Sequence, residues 1–518
     1  MLTRRLFQQD QSPLLKTQKY SFMKAKLILL LALFTVGSLI HADVRLPNVL
    51  SNHMVLQRDL QVPVWGWADA GEKITVSFAG QKKQTTADKK GNWMIKLGKL
   101  KANASPATLS VQGKNLIQLE NVLVGEVWIC SGQSNMEWRV SQCANPKEEI
   151  AKSNYPKIRL FDVPGHTVHP IPQREGKGEW KVCSPQSVAS FSATGYYFGR
   201  RLHLSLGIPV GLIGSNWGGT KIEPWTTLDG FKSVPELSKL AESVSAYTAE
   251  TKVKGGTPSA IYHSMVHPLT PYAMRGAIWY QGESNGGEGI TYYQKKRALV
   301  QGWRKAFQNP DLGFYWVQLC NFRKANVMEV KNPSKEESRP EGGDGWARIR
   351  EAQTQALDLK HTGMAVIIDL ADAHNPNDIH PKNKQDVGGR LAQWALNQTY
   401  GMQGLVASGP LYESHKIKGG KLHLSFKNVG QGLMVGKKVG LDPTQPVVGG
   451  TLKHFSIAGA DKKWHWADAK IVGDQVVLSS KEVRKPVAAR YAYTMNPADA
   501  NLYNVDGLPA GPFRTDDW

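Results

Sequence analysis

Five short apolar runs, each parted from the next by enough chain for a helix, decide what this chain can fold into. They lie at 122–130, 208–213, 277–280, 314–319 and 364–370. Runs this short and this apolar read as strands buried on both faces. Alternating with helix-length segments, such strands make a parallel sheet with helices on either side. The expected centre is α/β, on a parallel five-stranded sheet. One helix is legible in detail: residues 386–398 place Val387, Leu391, Trp394 and Ala395 on one face.

The flanks read differently. From 43 to about 115, short alternating stretches such as 62–67, 73–78 and 93–97 are separated by polar turns, the pattern of a small β-sandwich. Alternation returns near the end, at 421–426 and 475–478. At 518 residues the chain is too long for one core. The expected division is 43–118 as an N-terminal β-sandwich, 119–403 as a catalytic α/β domain and 404–518 as a C-terminal β-rich domain. Residues 324–346 are charged, carry Gly and Pro and lack periodicity, and read as a long surface loop.

The first 42 residues are expected to stand outside the fold. Met23-Lys24-Ala25-Lys26 is a short basic segment, 27–40 is an apolar run, and Ala42 suits a cleavage point. That order is a secretory signal peptide, and the run is short for a membrane span. Residues 1–22 read as a misassigned upstream start. No second run of spanning length follows, so the expected mature protein has no integral membrane span and is secreted or periplasmic.

The formal net charge is +21; residues 1–42 hold six Lys/Arg and one Asp, leaving +16 on the rest. The basic residues are scattered and no nucleic-acid motif accompanies them, so no nucleic-acid partner is expected. Neither a G-x-x-x-x-G-K-[ST] loop nor a G-x-G-x-x-G turn after a strand is present. Cys130, Cys143, Cys183 and Cys320 have no C-x-x-C spacing, which gives neither a zinc site nor a disulfide framework. No metal or cofactor is expected, and the spacing leaves one or two disulfides open.

Ligands of open α/β sheets bind beyond the carboxyl ends of the strands. Four of the five runs lead there into loops rich in Ser, Gly, Asn or His. These are Ser131-Gly132-Gln133-Ser134-Asn135, Ser215-Asn216-Trp217-Gly218-Gly219-Thr220, Gln281-Gly282-Glu283-Ser284-Asn285 and Asn377-Asp378-Ile379-His380. Each alone is an ordinary turn; together, on one edge, they suit ester hydrolysis. Ser134 on a tight turn is placed as nucleophile, His380 to take its proton, and Asp378 to orient the imidazole. The amide of Ser134, an amide of Gly218-Gly219 and the Asn285 side chain can supply an oxyanion hole. Gln133, Asn135, Gln281 and Glu283 are candidate substrate contacts in the same loops. A second pair, Asp372 and His374, has the same spacing as Asp378 and His380, and spacing leaves both open.

In these four blocks the chain resembles the SGNH-type hydrolases, and more narrowly the sialate O-acetylesterase family. The flanks are similar too: Ile222-Glu223-Pro224-Trp225, Arg350-Glu351-Ala352-Gln353 at the opening of a helix, Met54-Val55-Leu56-Gln57-Arg58 and 503–509. The resemblance spans nearly all of 43–518. It implies a three-layer α/β/α catalytic domain, a metal-free serine mechanism, and an O-acetylated carbohydrate as substrate, first of all 9-O-acetylated sialic acid. One departure stands out: the SGNH pattern sets its aspartate three residues before the histidine, where this chain has Asn377. An acetylesterase of plant xylan or xyloglucan is the neighbouring reading, and an inactive glycan-binding protein the reading from another class.

Overall fold

The computed structural model describes residues 43–323, 340–372 and 374–518. The expected signal peptide and residues 324–339 of the expected loop lie outside them.

The central sheet is built on the predicted strands. Its members are β1 (Leu116–Gly132), β2 (Tyr155–Asp162), β3 (Trp180–Cys183), β4 (Val210–Asn216), β5 (Gly276–Tyr280), β6 (Gly313–Val317) and β7 (Thr362–Ala365). They run in the order β7-β6-β5-β1-β4-β2-β3. All neighbours are parallel except β3, which is antiparallel to β2 at the edge. The five apolar runs are thus strands of one sheet, and β2 is a sixth parallel member. Its first three residues, Tyr-Pro-Lys, are exposed or half-buried, and Arg159 interrupts the apolar residues that follow, so it lacks the continuous run that marks the others.

Five helices matter for the site: α1 (Ser134–Glu137), α2 (Ala193–Leu206), α3 (Ile290–Ala306), α4 (Gly345–Gln355) and α5 (Lys384–Trp394). Alternate strand residues bury against opposite layers. Trp128, Cys130, Leu212, Ile278 and Tyr315 pack with Tyr197, Phe198, Leu202, Val387 and Leu391 of α2 and α5. Ile129, Ile213, Ala277, Trp279 and Trp316 pack with Leu299, Trp303, Ile349 and Ala352 of α3 and α4. The result is a three-layer α/β/α sandwich. The apolar face expected for the helix near 386–398 is the face that α5 buries. Arg350-Glu351-Ala352-Gln353, by contrast, lies inside α4 and does not open it. The helix begins at Gly345, where the Asp344 carboxylate accepts from the Trp346 and Ala347 amides.

Strand β1 is shared. Its first half pairs antiparallel with Asn103–Gln112 and parallel with Val55–Gln57, and its second half lies between β4 and β5. Val44–Trp518 accordingly form one unit, with the strand running unbroken across residue 118. The end of the chain is antiparallel β structure, in which Lys421–Lys427 and Gln475–Ser479 pair and bury Leu422, Leu424, Val476 and Leu478. All four cysteines are buried and unpaired.

Candidate active site

Three strand ends stop level with one another. Gly132 of β1 pairs with Asn216 of β4 on one side and with Tyr280 of β5 on the other. The residues that follow each strand therefore enter the same space. Gly132 has φ 141°, and a Cβ there would stand 2.1 Å from the Tyr280 carbonyl oxygen, so the turn into the serine loop requires glycine. The Gln133 amide then donates to that carbonyl at 2.9 Å, and Ser134 begins α1.

Ser134 Oγ lies 2.9 Å from His380 Nε2. His380 Nδ1 is 3.3 Å from Asp378 Oδ1, which also accepts the His380 backbone N–H at 2.9 Å. One carboxylate oxygen thus braces both the ring and the loop that carries it. The Trp138 ring stacks on the imidazole, with centroids 4.7 Å apart and planes at 17°. Burial pushes the His380 pKa below its usual value, the Lys384 charge adds to this, and Asp378 opposes it. The other pair is elsewhere employed. Asp372 Oδ1 accepts the His374 and Asn375 amides at 2.9 and 3.3 Å, which closes a local turn and leaves His374 exposed. Of the two Asp-x-His pairs, the structure brings Asp378 and His380 to Ser134.

Among the candidate oxyanion donors, the Gly218 amide is already taken: it donates to Glu137 Oε2 at 2.7 Å. That corrects its reading as a free donor and leaves Gly219, whose φ is +74°. The amides of Gly219 and Ser134 make no hydrogen bond among the described residues. Asn285 is held rigidly. Its Oδ1 accepts from the Ile222 amide at 3.1 Å and Gln281 Nε2 at 2.7 Å, and one Nδ2 hydrogen goes to Glu223 Oε2 at 3.1 Å. The same side chain also hydrogen-bonds the Glu288 carboxyl. Glu223 is in turn held by Lys295 Nζ at 2.6 Å.

The candidate substrate contacts divide. Gln281 is fully buried, with Nε2 bonded to the Thr220 carbonyl and to Asn285, and Oε1 accepting from Tyr292 at 2.9 Å. Asn135 is fully buried, bonded to Glu283, Ile379 and Lys384. Both frame the site from inside, which corrects their reading as sugar contacts. Gln133, 3% exposed, ties its loop to the next through Oε1 and the Ser284 amide at 3.3 Å. The Glu283 carboxyl, raised above its usual pKa by burial, receives Asn135 Nδ2 at 2.7 Å.

Sequence reasoning missed four residues here. Glu137 and Trp138 directly follow the serine motif, and their place in that stretch was the available signal. His166 Nε2 meets Glu137 Oε1 at 2.9 Å and its ring stacks on Trp217 at 4.7 Å; nothing in its own surroundings marks it. Lys384 sits in the first turn of α5, where the helix dipole disfavours a cation; the helix read from the sequence begins at 386 and leaves it outside. Among the described residues, no three His, Cys, Asp or Glu side chains gather as metal ligands, and no helix is long and apolar enough to cross a membrane.

Comparison with known proteins follows the same lines. Residues 124–397 match the family model described as carbohydrate esterase, sialic acid-specific acetylesterase. The chain belongs to this family. A sialate O-acetylesterase of Homo sapiens is 30% identical over 90% of this chain and 92% of its own length. One of Mus musculus is 28% identical over 94% of this chain and 97% of its own. A crystal structure of a carbohydrate acetylesterase from Xanthomonas citri is 38% identical, has a TM-score of 0.78, and covers 92% of this chain and 100% of that one. As a member of the family, the chain is a carboxylic ester hydrolase that removes O-acetyl groups from carbohydrate.

Proposed function

We propose that this esterase acts on O-acetylated sialic acid, the 9-O-acetyl ester first, by a serine mechanism centred on Ser134. The observation that carries the mechanism is the 2.9 Å contact between Ser134 Oγ and His380 Nε2 at the level ends of β1, β4 and β5. His380 takes the hydroxyl proton as Oγ attacks the acetyl carbonyl, and Asp378 stabilises the imidazolium. In this reading the Ser134 and Gly219 amides stabilise the charge that develops on the carbonyl oxygen, with the Asn285 side-chain amide as the third candidate donor. The imidazolium then protonates the departing sugar oxygen, which leaves as a hydroxyl. Water, deprotonated by the same imidazole, releases acetate from the acyl-enzyme. The sialic acid reading is supported by the family and by its mammalian relatives, which are sialate O-acetylesterases.

Acetate release from a panel of acetylated sialosides and acetylated xylo-oligosaccharides tests the substrate. Preference for the 9-O-acetyl sialoside is expected; turnover of the xylo-oligosaccharides alone would refute it. Ser134→Ala should lose on the order of 10⁴-fold or more in kcat while staying folded. Near-normal release by the folded variant would refute the mechanism.

The same reading includes export. The basic segment and apolar run at 23–40 support cleavage near Ala42 and a secreted or periplasmic enzyme. N-terminal sequencing of the protein from cell fractions tests it, and full-length protein confined to the cytoplasm would overturn it.

A further inference from the structure

A buried chain of three polar side chains, Glu283, Asn135 and Lys384, adjoins the Ser134–His380 pair. Asn135 Nδ2 donates to Glu283 Oε1 at 2.7 Å and to the Ile379 carbonyl at 3.0 Å, and Asn135 Oδ1 accepts from Lys384 Nζ at 2.5 Å. Asn135 follows the nucleophile in the chain and Ile379 precedes the histidine. One amide therefore joins the two loops whose side chains must meet. The groups that join it to the rest are an acid from the loop after β5 and a lysine from the first turn of α5.

Lys384 is the costly member. It is fully buried, and a buried ammonium is expensive unless compensated. It also stands at the helix end where the dipole opposes it. What faces it is the Asn135 oxygen, the rings of Tyr280 and Trp138 with centroids at 5.2 and 5.8 Å, the carboxylates of Glu283 and Asp378, and the thiols of Cys320 and Cys143. None of these is a close ion pair. An exposed polar residue would serve the helix better.

We propose that Lys384 is the positioning residue of this site: it fixes the Asn135 amide that ties the turn of Ser134 to the loop of His380, and so keeps Oγ and Nε2 in contact. The proposal rests on the reading of Ser134 and His380 as nucleophile and base. Charge gives Lys384 a second effect. The groups facing His380 are Ser134, Asp378, the Trp138 ring and Lys384. Asp378 favours the imidazolium and Lys384 disfavours it. Burial brings the Lys384 pKa down to about 7, above the lowered pKa of His380, so the lysine is mostly charged where the histidine titrates. Removing that charge moves the histidine's protonation to higher pH.

The test compares Lys384→Met, which loses donor and charge, with Lys384→Gln, which keeps a shorter donor without charge, each checked by thermal melting. A misplaced catalytic pair costs up to roughly 10²-fold, so Lys384→Met should lose about 10- to 100-fold in kcat with KM little changed. Added to Asn135→Ala, it should cost little further, because both act through one amide. In Lys384→Gln, the acidic limb of kcat/KM should move to higher pH. If Lys384→Met fails to fold, Lys384→Gln alone decides through its pH profile. Wild-type kcat in folded Lys384→Met, or an unmoved acidic limb in Lys384→Gln, overturns the proposal. Ser134→Ala is assayed alongside: activity there would refute the serine mechanism, a result separate from any Lys384 outcome.

Discussion

At the scale of residues, the site turns on which histidine and which carboxylate do the work. His380 touches Ser134 and shares Asp378 Oδ1 with its own backbone amide, whereas Asp372 and His374 close an exposed turn. His380→Ala should therefore be nearly inactive. Asp378→Ala should be impaired but less so, because the Trp138 ring still holds the imidazole in place. Asp372→Ala and His374→Ala should stay close to wild type. Acetate release by the four variants, each confirmed folded by circular dichroism, checks this. The pH dependence follows from the same neighbours. The proposed mechanism needs neutral His380, whose pKa is depressed, so the base form persists further into acid than in a free histidine. The acidic limb of kcat/KM should then lie below pH 6.5, the usual histidine value. The serine, histidine and asparagine of the site were legible because their residue types and serial order are chemically distinctive. Burial was not: Asn135 and Gln281 read as contacts only because a sequence does not say which way a side chain points. The capture of the Gly218 amide by Glu137 likewise depends on a contact between residues 81 apart in the chain.

At the scale of elements, the strands declared themselves where both faces are apolar and stayed hidden where one end is not, as in β2. Helix α5 was readable from its apolar stripe, while α4 was placed too late because its start lies in an Asp-Gly cap without apolar period. Helix α4 also links the sheet to the C-terminal β region. Arg350 is fully buried and donates to the carbonyls of Leu319 at 2.8 Å, Cys320 and Thr494 at 2.7 Å, and Met495 at 3.0 Å. Beside it, Glu351 Oε1 receives Arg514 Nε at 2.9 Å, and Gln353 Oε1 accepts the Leu319 amide at 3.0 Å. Replacing Arg350 with Met strands several buried carbonyls at once. It should cost about 2–4 kcal/mol, since a single buried unsatisfied group costs about 1–3 kcal/mol. Denaturant unfolding measures the loss, and an unchanged midpoint would mean that water or a neighbour replaces the guanidinium.

At the scale of the whole molecule, the N-terminal β region is part of the catalytic sheet's support. Val55–Gln57 pairs with β1, the Tyr272 hydroxyl donates to the Val55 carbonyl at 2.7 Å, and Trp180 Nε1 donates to the Val49 carbonyl at 2.8 Å. Deleting residues 43–115 would bare the first half of β1 and the core residues beneath it. We expect the truncated chain to be insoluble or to melt without cooperativity, and soluble yield with a thermal scan decides it. The level strand ends carry one further consequence, which concerns birth rather than catalysis. Ser134 and His380 are 246 residues apart in sequence, and the two strands that flank β1 are both made after it. At a synthesis rate of ~5–20 residues per second, the nucleophile waits roughly ten to fifty seconds for its base. On the proposed mechanism, every growing chain in that interval carries the serine without its base. Translation alone keeps the enzyme silent until the last strand of the sheet and the loop beyond it have been made.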